Sequence, residues 1–83
     1  PPDMQYLQSD VTAGLANLSN DINLAARNAV SGIVDHIVNT YGYNRQQAYI
    51  IASVAVDLRI AQLVDAPNVS VTAILPLDIF NQN

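Results

Sequence analysis

The sequence predicts an α+β fold: a small module with two packed helices, an irregular N-terminal strand and a C-terminal β-hairpin. Three observations carry this expectation. Apolar residues from Ile22 to Tyr41 recur at three- and four-residue spacing, the pattern of an amphipathic helix. From Ala48 to Val56 only Ser53 interrupts a run of apolar residues. After Val56 the period changes to two, the repeat of a strand.

Taken in order, Met4 to Thr12 reads as an irregular strand, with Tyr6, Gln8, Asp10 and Thr12 alternating against Leu7 and Val11, and Gly14 ending it. The alternative for 1–18 is an arm ordered only against a partner. Ser19-Asn20-Asp21 is a helix-start signal, because a short polar side chain satisfies first-turn amides and an acid suits the positive end of the dipole. The helix that follows presents Ile22, Ala25, Ala26, Ala29, Val30, Ile33, Val34, Ile37, Val38 and Tyr41 on one face. Gly42 falls where a left-handed C-cap is wanted. Asn44-Arg45-Gln46-Gln47 then resembles a capping box opening a second helix. Its apolar run predicts burial on nearly all sides. The short Gly42-Tyr43 link makes the two helices a hairpin over 19–57.

For 57–65, one reading is a strand with Leu58, Ile60, Gln62 and Val64 on one side and Asp57, Arg59, Ala61, Leu63 and Asp65 on the other. The other continues the helix to Val64 and puts Arg59 on its buried side. The two-residue repeat favours the strand. Ala66-Pro67-Asn68 is a turn, and Val69 to Leu75 is a second strand stopped by Pro76, giving a β-hairpin over 58–80 within a single module of 1–83.

Composition bounds the partners. The chain has no Lys and no Glu; three Arg and seven Asp give a formal net charge of −4. No cluster of cations is available to neutralise phosphates, which argues against nucleic acid and anionic membranes. The longest apolar run, near ten residues, is well short of the ~20 that cross a bilayer. With no Cys, there is neither a disulfide framework nor a thiolate metal site. Hydrophobic residues make up 51% and charged ones 12%, against roughly 25% charged in an ordinary soluble domain. An 83-residue chain is mostly surface, so this shortage of charge predicts cover by other copies or by a companion chain of the same protein. Opening on Pro1-Pro2-Asp3, the chain is read as the C-terminal part of something larger.

The run from Tyr41 to Phe80, YGYNRQQAYIIASVAVDLRIAQLVDAPNVSVTAILPLDIF, resembles the C-terminal end of the acetamidase/formamidase family. The likeness rests on the Tyr-Gly turn, the polar cap leading to Ala48-Tyr49, Asp57-Leu58-Arg59-Ile60, Gln62-Leu63-Val64-Asp65, the Val-rich strand, Leu75-Pro76 and Ile79-Phe80. The resemblance implies hydrolysis of short aliphatic amides to carboxylate and ammonia by metal-assisted attack of water. It implies that the metal ligands come from a portion preceding this one, so no cofactor is expected in this chain. It also implies a cytoplasmic setting.

Individual residues are weighed against plainer roles. His36 is the single His, and Asp35 beside it points about 100° away on a helix, so the two cannot chelate together. Asp57 and Arg59 fall on one side of a strand as a structural ion pair or subunit contact, with contact to an amide substrate, or support of the residues that do the catalysis, as the alternative. Gln62 on the inward side would be a buried amide in need of partners. Ser53 lacks a His-Asp arrangement, so no catalytic residue is assigned. Tyr6, Tyr41, Tyr43 and Tyr49 suit packing at helix ends and turns. Asn17-Leu18-Ser19 and Asn68-Val69-Ser70 fit the N-glycosylation pattern; use of Asn68, at a turn, would make the protein extracellular. Two functions stay open: the C-terminal portion of an amidase, contributing scaffold and oligomer contacts, or a non-catalytic self-assembling protein on the same fold.

Overall fold

The computed structural model describes residues 5–14, 18–62 and 68–80. In chain order they form β1 (Tyr6–Gly14), α1 (Leu18–Tyr41), α2 (Arg45–Ala55), β2 (Asp57–Gln62), β3 (Asn68–Pro76) and a 3-10 turn (Leu77–Phe80). The architecture is the expected α+β one: two helices, an N-terminal strand and the β2–β3 hairpin.

The sheet is antiparallel with the order β1-β3-β2. β1 is not irregular: all nine of its residues pair in unbroken register with β3, from Tyr6 opposite Pro76 to Gly14 opposite Asn68. It is ordered against its own chain, which removes the reading of this segment as an arm held only by a partner. The strand begins two residues later than the alternation suggested and carries on to Gly14. β2 settles the ambiguity after Val56, since Asp57 to Gln62 pair with β3 from Ile74 to Val69 and do not continue α2. Leu63 to Asp65 lie outside the described residues.

Burial in β3 alternates strictly. Val69, Val71, Ala73 and Leu75 face the helices, and the intervening Ser70, Thr72 and Ile74 are half-buried on the other face. α1 lies over β1 and β3, closing the core with Ala25, Ala29, Ile33, Val34 and Ile37. Each fully buried Val or Ile among these contributes about 1.5–3 kcal/mol, and each Ala less. The helix approaches β1 closely enough that a Cβ on Gly32 would meet Ser9 Oγ at 2.7 Å.

α1 starts at Leu18, so Ser19, Asn20 and Asp21 occupy its first turn, not a cap before it. Helix ends are set by which amides find partners, and the polar triplet marks the region without fixing the residue. At the other end Gly42, with φ of 77°, donates its N–H to Val38 O at 3.2 Å as a left-handed cap. Gly42→Ala should therefore cost about 1 kcal/mol, and Gly42→Asn less, read as shifts in the urea midpoint. The capping box of α2 is complete. Gln47 N–H donates to Asn44 Oδ1 (2.8 Å), and Asn44 N–H to Gln47 Oε1 (3.1 Å).

One expectation about α2 is overturned. Only Ala48 and Ala52 are buried, and Ile51 and Ala55 half-buried, whereas Ile50 is 61% and Val54 83% exposed. Ala48 and Ala52 pack on the α1 core near Ala73 and Leu75. The molecule measures 45 × 31 × 18 Å, a slab of one helix layer on one sheet, and among the described residues no third layer covers the far side of α2.

Candidate functional site

The face of the sheet turned away from the helices gathers most of the polar side chains of the three strands. Register places Asp10 opposite Thr72 and Thr72 opposite Arg59, so the three form a row across all three strands. Thr72 Oγ1 donates to Asp10 Oδ1 at 2.6 Å. Gln8 Nε2 adds bonds of 3.1 and 3.0 Å to the two carboxylate oxygens. At the β2 end, Arg59 Nε donates to Asp57 Oδ2 at 3.1 Å, with both side chains largely exposed. This is the local pairing expected of alternate residues on a strand. Ion pairs this exposed contribute little to stability on their own. Tyr6, Gln8, Arg59 and Ile74 line a shallow hollow of about 310 Å³ on this face.

The bonds from Thr72, and secondarily from Gln8, favour the charged form of Asp10 and hold its pKa below the ordinary carboxylate value, against a small opposing effect of burial. A carboxyl whose pKa is depressed by folding stabilises the fold above its unfolded value, and that contribution disappears as pH falls through the folded value. Thr72→Val should raise the Asp10 pKa towards its ordinary value, read from the pH dependence of its side-chain carbon shift. An unmoved titration would show that the Thr72 bond does not hold the carboxylate.

A second group lies at the end of the helix hairpin. Arg45 Nη1 donates to Asp35 Oδ1 at 2.6 Å, which raises the Arg45 pKa, and the Arg45 guanidinium lies 5.8 Å from the centre of the Tyr49 ring. Asp35 therefore turns to α2 and not to His36. His36 meets Thr40 Oγ1 at 3.5 Å and the Tyr41 ring edge-on at 6.1 Å. Tyr41 in turn stacks on Phe80 at 4.0 Å, and Tyr43 lies 6.1 Å from Phe80, so the aromatic residues at this end serve packing. Ser53 Oγ donates to Ile50 O at 2.8 Å within its own helix.

The remaining candidates divide by position. Gln62 pairs through its backbone with Val69, and its side chain lies outside the described part. Asn68 is the first residue of β3, half-buried and opposite Gly14, where the sequence suggested a turn. Asn17 lies outside the described residues. The bonds Asp10 to Thr72 and Asp35 to Arg45 were not legible beforehand. The first spans 62 positions and depends on the pairing of β1 with β3; the second depends on how the two helices cross. The Arg45–Tyr49 contact, four apart on a helix, had a spacing signal.

Among the described residues no three His, Cys, Asp or Glu side chains come together in a way that could hold a metal ion. His36 has a hydroxyl and an aromatic ring as neighbours, and the carboxylates of Asp10, Asp35 and Asp57 are engaged with Thr or Arg. The described side chains thus do not fit a metal, and no hydrolytic step is routed through them. No described helix is long and apolar enough to cross a membrane.

Fold and site together define a two-layer α+β module with a polar sheet face and a partly open apolar helix side. The family model of the acetamidase/formamidase family matches residues 7–82, and the chain belongs to that family. No curated protein and no solved structure matches the chain.

Proposed function

We propose that this chain is the C-terminal portion of an amidase that hydrolyses short aliphatic amides to carboxylate and ammonia, and that its own share is scaffold and oligomer contact. The family match over residues 7–82 carries the amidase-related reading, since it spans both helices and all three strands. The scaffold role draws on the site chemistry. Asp35 and Arg45, and Asp57 and Arg59, are tied to one another at the surface, and the Ser53 hydroxyl is bonded into its helix. A metal centre of the kind the family resemblance implies would be held by residues other than those described here.

The test is an assay of acetamide and formamide hydrolysis on the native particle, with the mass of every chain in it measured under denaturing conditions. Turnover by a particle containing a companion chain rich in His and acidic residues supports the proposal. A particle made of this chain alone, without turnover, overturns it. That outcome would favour the second reading, a self-assembling protein on the same fold, for which the 83% exposed Val54 and 61% exposed Ile50 are the supporting observation.

A further inference from the structure

We propose that the free edge of β2 pairs antiparallel with β2 of a second copy of the chain, about a two-fold axis at Leu58, joining the two sheets into one of six strands. The inference rests on the oligomer contact proposed above and names its surface. It is argued from three features of β2.

The first is exposure of both its edge and its apolar face. Among the described residues both outer strands have a free edge, but the helix-side residues of β1 are covered by α1, with Ala13 buried and Leu7 and Val11 half-buried. On β2, Leu58 and Ile60 stand opposite the fully buried Ala73 and Val71, yet are 46% and 58% exposed. Leu58 also borders an open groove of about 280 Å³ with Ala26, Val30 and Tyr49. An unpaired strand with an uncovered apolar face is a template for another strand.

The second is that Asp57-Leu58-Arg59 is its own electrostatic complement when reversed. An axis at Leu58 sets Asp57 of each copy opposite Arg59 of the other on the open face. On the helix side it sets Leu58 against Leu58 and Ile60 against Val56. An axis at Asp57 or Arg59 would put like charges face to face, which is destabilising, and one at Ile60 or Ala61 would leave both charges without an interchain partner. This self-complementarity is what selects a second copy as the occupant.

The third is that the backbone is ready for the pairing. Val56 already has extended dihedrals, φ −76° and ψ 134°, so five residues, Val56 to Ile60, can enter the ladder without unwinding α2. The existing bond to Asp57 uses Arg59 Nε, and the rest of the guanidinium makes no hydrogen bond among the described residues. It can therefore take a second carboxylate.

The experiment is a set of charge variants of the 83-residue chain, with mass measured by light scattering across a concentration series and folding checked by circular dichroism. Both side chains are exposed, so Asp57→Arg and Arg59→Asp should fold. Each alone places like charges opposite each other and should weaken the dimer at least tenfold. Mixed one to one, the two variants should form a heterodimer, because every interchain pair is then opposite in sign. The double variant Asp57→Arg with Arg59→Asp should dimerise with itself. A wild-type chain that stays monomeric at every concentration overturns both the β2 pairing and oligomer contact by this chain. A dimer untouched by the single variants, or variants that do not recover on mixing, overturns the β2 pairing but leaves assembly standing. The amide assay is independent of all these outcomes.

Discussion

Ile33→Ala should lower the stability of the chain by about 2–5 kcal/mol, through lost transfer free energy and the cavity left behind. Ile33 is fully buried on α1, in a cluster with Ile37, Ala48, Ala52, Ala73 and Leu75, and so touches both helices and the central strand. A domain of 83 residues has roughly 4–12 kcal/mol in total, so the loss takes a large share of it. The second cluster, around Ala13, Ala25 and Val71, is too small to compensate. A urea titration followed at 222 nm should show the midpoint moved well towards zero denaturant. A shift below 1 kcal/mol would mean that α1 does not seat on the sheet as described.

Ala48→Leu should cost about 1–3 kcal/mol for the opposite reason, overpacking. Ala48 has no exposed surface, and Ala48 and Ala52 are the two buried α2 residues in the core shared with α1. Their small side chains let the helices approach, and a branched side chain at 48 forces them apart. The matched control is Val54→Leu, at a position 83% exposed, which should stay within about 0.5 kcal/mol of wild type. Equal effects at the two positions, measured on monomer, would contradict the orientation of α2.

These two substitutions also show what could be read from the residues. The buried stripe of α1 followed directly from its periodicity, because a helix of this length against a sheet has only one face to hide. The capping box of α2 and the two-residue repeat of β2 were equally local signals. Burial of α2 was not local. The run from Ala48 to Val56 shows that the segment is apolar, but what covers it depends on how many layers the chain can build. Here one side meets α1 and the other stays open at Ile50 and Val54. The polar face was partly legible for the same reason. Asp57 and Arg59 are two apart and had to meet on a strand, whereas Asp10 finds Thr72 only through the β1–β3 register.

The strand order has a consequence for how the chain acquires its shape. β3, the last of the described strands in chain order, is the one on which both others depend. During synthesis the helix hairpin can form from neighbouring residues as soon as it emerges, but β1 and β2 have no ladder partner until residues 68–76 are made. The slow step of folding should then be the docking of β3 between two waiting strands, because closure of the long loop from β1 comes before its contacts reward it. A ribosome stalled before residue 68 would hold a helical intermediate with two unpaired strands, the form most open to aggregation.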